Sequence, residues 1–294
     1  MIFDTLIKEC SKTIVGNEFN LKLSLAAIIS QGSILIEDYP GSGKTNFAKT
    51  LTLSLGLDFK RIQFTSDLLP SDILGYNFLS KDNFVFQKGP IFTNIVLADE
   101  LNRGSSKSQS AFLEAMEEKN VSIDGVTYNL PYPFFVIATQ NPMDSSGTSL
   151  LPDSQLDRFM ISFSLSNLNN NQLVEVIKNN IDYKLINNSK INWEEIFTSR
   201  NKVKINDDVF NYILEIFNWA KNIDYLFISP RCLKQISDLS KSWALINEKD
   251  YVSHQDVKDI LPSVLRHRIS SIKSNEDKLS LINNDILDKI EINY

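Results

Sequence analysis

The apolar and polar positions of this chain fall into two textures. In the first half, short strand-like segments recur between turn residues: Arg61-Ile62-Gln63-Phe64 and Ile161 to Leu165, which mix polar and apolar residues, and the wholly apolar runs Ile34-Leu35-Ile36, Ile95 to Ala98 and Phe134 to Ala138. Runs of this length without alternation predict strands buried on both faces, the mark of a parallel sheet. Helical spacing lies between them, at Ile2, Phe3, Leu6 and Ile7, at Leu21, Leu25, Ile28 and Ile29, at Phe47, Ala48, Leu51 and Leu55, and at Phe112, Ala115 and Met116. Ser106 and Gln109 are spaced as a capping box for the last of these. Leu68 to Gly75 predicts a loop with a helical turn. Two hairpins interrupt the scheme: Tyr76 to Gln87 around the polar tip Ser80-Lys81-Asp82-Asn83, and Val121 to Tyr128 around Asp124-Gly125.

After Ser166 the strand signals stop. Asn167 to Asn171 reads as a polar linker. Beyond it every apolar pattern is helical: Leu173, Val176 and Ile177; Val209, Ile213, Ile216 and Phe217; Leu233, Ile236, Leu239 and Trp243; Val257, Ile260, Leu261 and Leu265; Leu279, Ile282 and Ile286. The predicted architecture is an α/β domain over residues 1–166, a parallel sheet sandwiched by helices, followed by an all-helical domain over residues 167–294.

The chemistry gathers at the ends of the predicted strands. Ile34-Leu35-Ile36 runs into Tyr39-Pro40-Gly41-Ser42-Gly43-Lys44-Thr45 and then a helix. Strand, glycine turn, Lys-Thr and helix form a phosphate-binding loop. Glycines let several N–H groups converge on one anion, and the helix N-terminus adds more donors and the positive end of its dipole. Pro40, Gly41, Ser42, Gly43, Lys44, Thr45 and Asn46 are therefore the expected nucleotide contacts. Lys44 would reach the β- and γ-phosphates and Thr45 Oγ1 would hold Mg²⁺. The first glycine position of the usual loop is Asp38. Its carboxylate would repel phosphates unless it points away or meets a cation. The break at Ile14-Val15-Gly16-Asn17 could pass an adenine ring, which makes Val15 and Gly16 candidate contacts.

Asn94 to Ala98 ends in Asp99-Glu100, about 55 residues after the lysine, the spacing at which acids on a neighbouring strand face the same crevice. Asp99 would hold Mg²⁺ and Glu100 would polarise the attacking water. Asn141, just past Phe134 to Thr139, is either a group that bonds the γ-phosphate or that water or an ordinary turn asparagine before Pro142. Ser229-Pro230-Arg231 opens a helix, and a cation in a first turn opposes the dipole, so Arg231 calls for an anion.

Composition narrows the choice. Hydrophobic residues make up 43% and charged residues 22% of 294, ordinary for a globular protein. The net charge of −6 disfavours a broad nucleic-acid face. No signal peptide is expected at the N-terminus, and no run approaches the ~18 apolar residues of a membrane span. Cys10 and Cys232 fit no metal spacing and read as thiols of a reducing, cytoplasmic compartment.

In order, DYPGSGKT, LADELNR, SQSAFLEAMEE, VSIDG, PFFVIATQNP, LPDSQLDRF, SPR and VLRHRI strongly resemble the MoxR family of AAA+ ATPases, from about Val15 to Ile269. The resemblance implies a AAA+ P-loop core with a helical lid. It makes Lys44 and Thr45 the Walker A pair, Asp99 and Glu100 the Walker B acids, and Asn141 the first sensor. Arg158 would be an arginine finger reaching a neighbouring subunit's nucleotide, and Arg231 the second sensor on the lid. Tyr76–Gln87 would be the insert in helix 2. It further implies ATP and Mg²⁺, a homo-oligomer, usually a hexamer, and chaperone-like remodelling of a separate partner with a von Willebrand factor A domain. The family pattern has glycine where this chain has Asp38. Two other readings are a nucleotide-gated scaffold with little turnover and a GTPase or nucleic-acid motor of the same helix-2-insert architecture. The second is disfavoured by the acidic charge and by Lys81 being the only base at the first hairpin tip.

Overall fold

The structure, a computed structural model, describes residues 2–39, 41–80, 83–141, 151–165, 168–178, 183, 186–187, 191–223, 225–269, 278 and 282. Pro40, Lys81 and Asp82 of the first hairpin tip, most of the 143–152 loop, Asn167, Leu279 and Ile286 lie outside them.

A five-stranded parallel sheet flanked by helices has the order β2-β5-β8-β1-β9. Its strands are β1 (Ile34–Glu37), β2 (Phe59–Gln63), β5 (Ile95–Asp99), β8 (Phe135–Gln140) and β9 (Ile161–Phe163). Every residue of β1, β5, β8 and β9 is buried. That is why β1, β5 and β8 carry unbroken apolar runs, since a parallel strand covered on both faces has no solvent side, whereas β9 buries Ser162. The edge strand β2 buries only Ile62. Register aligns the strand ends: Gln63 pairs with Asp99, and Ala98 with Ala138. Asp38 N–H donates to Gln140 O at 3.2 Å. The carboxyl ends of β1, β5 and β8 thus open on one crevice, where α/β sheets bind ligands.

The chain clusters into two units. One comprises Met1–Glu18, Leu35–Leu151 and Ser164–Ile191, the other Phe19–Ile34, Pro152–Phe163 and Asn192–Tyr294.

In the first unit, α1 (Ile2–Cys10) packs on α3 (Lys44–Ser54), with Cys10 Sγ donating to Ser54 Oγ at 3.2 Å. The turn α4 (Pro70–Leu74) leads into the hairpin β3 (Gly75–Ser80) and β4 (Asn83–Lys88), and α5 (Ser106–Glu118) into β6 (Asn120–Ile123) and β7 (Val126–Asn129). Asp124 and Gly125 both take positive φ, 50° and 81°, as a two-residue turn matched to strand twist demands. The hairpins meet through the Phe86–Tyr128 stack, 4.1 Å between centroids, and Asn77 Nδ2 donating to Asp124.

Two local expectations are corrected. The cap of α5 is Ser105, whose hydroxyl accepts from Ser108 N–H, while Gln109 turns back to Leu101 O and Gly104 O at 3.1 and 3.0 Å. The 3₁₀ turn Leu101–Arg103 delivers the chain one residue early, and its carbonyls claim the Gln109 amide. The segment read as a linker is helical from Asn170, in α7 (Asn170–Lys178). Asn169 and Gln172 exchange side-chain-to-backbone bonds of 2.9 and 3.0 Å, so the asparagine run is a helix cap.

The second unit contains α2 (Glu18–Ile29) almost entirely, α6 (Asp153–Leu156) and the helices α8 (Trp193–Lys202), α9 (Asp207–Ala220), α10 (Pro230–Ile246) and α11 (His254–Leu265). The predicted faces of α9 and α11 are the buried ones, as are Ile236, Leu239 and Trp243 of α10, whose Leu233 is half-buried, and Ile282 is also buried. Ser229 caps α10 from Cys232 N–H, and Ser253 with Asp256 forms a capping box on α11.

Candidate functional site

The loop after β1 is built by its glycines. Gly41 and Gly43 hold φ of 84° and 90°, where only glycine is unstrained, and an added Cβ at either would meet nothing within 4 Å. The space before the loop is therefore open. Gly43 is the N-cap of α3, and no side chain caps that helix, which leaves its first N–H groups for an anion. Ser42 Oγ is buried with no hydrogen-bond partner among the described residues.

Lys44 Nζ folds back onto the loop, donating to Asp38 O at 2.9 Å and Tyr39 O at 2.6 Å. Burial lowers its pKa, against the raising effect of the Asp38, Asp99 and Glu100 charges. Asn46 Nδ2 donates to Thr13 O at 3.0 Å, tying α3 to the end of α1. Asp38 lines the cavity beside the loop, and its carboxylate is held by two backbone N–H groups. Oδ1 accepts from Tyr39 N–H at 2.8 Å and Oδ2 from Leu165 N–H at 3.2 Å. A cavity of about 490 Å³ adjoins the loop, lined by Gly41 to Gly43 and Asn46 on one side and by Val15, Leu165, Leu168 and Leu173 on another. Gly16, at φ 72°, adjoins α7 so closely that a Cβ would lie 2.6 Å from Gln172 Nε2. Val15 and the phosphate loop thus line one cavity, while Gly16 lies against α7.

Asp99 ends β5 and is 6% exposed. Thr139 Oγ1, from the adjacent β8, donates to Asp99 Oδ1 at 2.6 Å and accepts from Glu100 N–H at 2.9 Å. One hydroxyl therefore fixes both acids. Arg61 of β2 donates to Asp99 Oδ2 from Nε at 3.0 Å and from its terminal nitrogen at 2.6 Å. Gln63, two residues along the same strand, donates to Glu100 Oε2 at 2.8 Å, and Arg103 pairs with that oxygen at 3.4 Å. Glu100 adopts the left-handed conformation, φ 54° and ψ 47°, which for a non-glycine residue marks a position held by its surroundings. Asn141 follows β8 directly and is half-buried, next to Gln140, whose amide donates to buried Glu37 at 2.6 Å. Thr139, Arg61 and Gln63 were not identified from sequence. Their roles depend on β2 and β8 flanking β5, which no local pattern encodes.

Among the described residues no group of three or more His, Cys, Asp or Glu side chains is placed to hold a metal. Asp99 and Thr45 are hard oxygen donors, and Mg²⁺ in nucleotide sites is held through one or two such groups with phosphates and water. The donor chemistry of these oxygens fits a magnesium nucleotide.

In the second unit Asp157, 5% exposed, gathers several partners. Ser229 Oγ donates to Oδ2 at 2.7 Å, Arg268 Nε to Oδ1 at 3.2 Å, and Arg231 lies 3.8 Å from Oδ2. Arg231 thus has the anion its place in a first turn calls for. Arg158 is the residue after Asp157, half-buried. Arg268 also donates to Asp157 O, Phe159 O, Val264 O and Gln235 Oε1, so the chain on both sides of Arg158 is pinned from below.

Residues 33–161 match the ATPase family associated with various cellular activities, and residues 225–290 match the AAA lid domain. A Mycobacterium tuberculosis protein named Chaperone MoxR1 is 33% identical over 282 residues, covering 90% of this chain and 74% of that protein. The chain belongs to the MoxR family of AAA+ ATPases. This MoxR-family chain is also 40% identical to the uncharacterized Bacillus subtilis protein YeaC, across 90% of the chain and 85% of YeaC. A crystal structure of a Cytophaga hutchinsonii protein, provisionally described as an ATPase, superposes with a TM-score of 0.86 at 36% identity, covering 100% of this chain and 95% of that one. No described helix of this MoxR-family protein is long and apolar enough to cross a membrane.

Proposed function

We propose that this protein hydrolyses Mg²⁺-bound ATP in a ring-shaped homo-oligomer, a hexamer by family resemblance, and uses the cycle to remodel a separate partner protein. The observation that carries this reading is the juxtaposition at the sheet's carboxyl edge. A glycine loop with an open front stands on β1, and two acids fixed by one threonine stand on β5.

Lys44 and the loop N–H groups bind the triphosphate, and Thr45 with Asp99 holds the magnesium ion that neutralises its charge. Glu100 orients and polarises the attacking water, assisted by Asn141. The apolar side of the cavity by Val15 and Gly16 receives the base, and Asn46 braces the loop helix. Arg158 from a neighbouring subunit completes the site, so activity depends on assembly. Arg231 reads the nucleotide state, and its motion is the mechanical output. The partner would be a protein with a von Willebrand factor A domain, supported by the MoxR resemblance and by a relative named a chaperone. Two free, buried thiols suit a reducing, cytoplasmic setting.

Glu100→Gln tests the assignment, because the amide keeps the shape and removes the base. The variant should bind ATP as wild type does and lose turnover by about 10²-fold or more. Undiminished turnover would remove Glu100 from the mechanism.

A further inference from the structure

We propose that Arg61 is a resident cation on the metal-holding acid, one that Mg²⁺ must displace when the nucleotide binds. The inference rests on reading Asp99 as a magnesium ligand. Both oxygens of Asp99 are committed in this structure, Oδ1 to Thr139 at 2.6 Å and Oδ2 to two N–H groups of Arg61 at 3.0 and 2.6 Å. Thr139 is a neutral donor buried between the strands, so Oδ2 is the oxygen that a hard cation would take. A divalent ion there and a guanidinium on the same oxygen repel each other, and the ion needs near-octahedral access at short range.

The geometry also shows how Arg61 can leave. Its side chain is 48% exposed, against 9% for Asp99, and it comes from the edge strand β2. An ion pair with one partner half in water is weak. Before it leaves, Arg61 also donates to Gln63 Oε1 at 2.5 Å, and Gln63 donates to Glu100 at 2.8 Å. Arg61 thus acts as a positioning residue through Asp99. It keeps the buried carboxylate neutralised before metal arrives and sets the magnesium concentration at which nucleotide binding tightens.

The test is a magnesium titration of a fluorescent ATP analogue bound to the full-length protein, with EDTA as the zero point. It compares wild type, Arg61→Gln, Arg61→Lys and Asp99→Asn, with thermal melting as the check on folding. Arg61→Gln should lower the half-saturating magnesium concentration by about two- to fivefold, the range for a half-exposed ion pair. Arg61→Lys, a fold-conserving change that keeps one charge-assisted contact, should fall between. In an Asp99→Asn background, Arg61→Gln should have no further effect. A midpoint unchanged or raised in both Arg61 variants would overturn the proposal, as would an equal shift in the Asp99→Asn background. Wild-type binding that ignores magnesium altogether would instead overturn the reading of Asp99 on which it rests.

Discussion

Arg268 Nε donates to Asp157 Oδ1 at 3.2 Å, with the Arg268 side chain fully buried. This pair anchors the turn that presents Arg158, and the same carboxylate accepts from Ser229 at the start of the helix carrying Arg231. Two arginines proposed to face nucleotides in different subunits are therefore organised by one buried aspartate.

Removing one partner of a buried pair leaves an uncompensated charge. Arg268→Met should lower unfolding free energy by about 3–5 kcal/mol in urea denaturation. Arg231→Ala, at 3.8 Å and 41% exposed, should change it by less than about 1 kcal/mol. Equal losses would mean that Asp157 is not the hub described.

The departure at Asp38 should prove structural. Its carboxylate joins the loop entry to Leu165, at the apolar side of the cavity, through two backbone N–H groups. Asp38→Gly restores the family pattern but deletes both bonds and adds chain freedom. Calorimetry should show nucleotide binding weakened by about 1–2 kcal/mol, roughly tenfold. Tighter binding would mean that the acid does repel phosphates.

Thr139 is fully buried and bonds both acids. Thr139→Val keeps the volume and removes the hydroxyl, at a cost of about 1–3 kcal/mol in stability. ATP turnover should fall by more than ATP affinity, because Glu100 loses its backbone anchor. Equal falls in both would argue for a purely structural threonine.

Burial pushes both thiols up to about 11, from an ordinary value of 9.0. At pH 8 neither Cys10 nor Cys232 should react with a thiol reagent in the native protein, and both should react in guanidinium. Because the folded pKa values are the raised ones, their contribution to stability is intact below pH 9 and is lost as pH rises towards 11. Thermal melts across that window should show the decline, and rapid native labelling at pH 8 would refute the burial.

Much of this was legible in the chain. β1, β5 and β8 announced themselves because strands covered on both faces cannot alternate. The glycine loop was legible because its geometry needs glycine at Gly41 and Gly43. Helix α8 was missed, since Trp193, Ile196 and Phe197 make too brief a pattern. Arg266-His267-Arg268 looks solvent-loving, yet all three are buried. For Arg268 the reason is Asp157, 111 residues earlier. Arg61 and Gln63 were silent for a similar cause, because they matter only through the Gln63–Asp99 register.

The central claim is an ATPase site shared between subunits, and mixing two crippled variants tests it most directly. Lys44→Ala lacks the phosphate lysine and keeps Arg158, while Arg158→Ala has the converse defect. Each should hydrolyse ATP at background rate alone, with folding and assembly confirmed by melting and sedimentation. A 1:1 mixture should recover up to about a quarter of the wild-type rate, the share of random neighbours in which an intact loop meets an intact Arg158. A mixture as inactive as its parts, or Arg158→Ala active alone at the wild-type rate, would contradict the account.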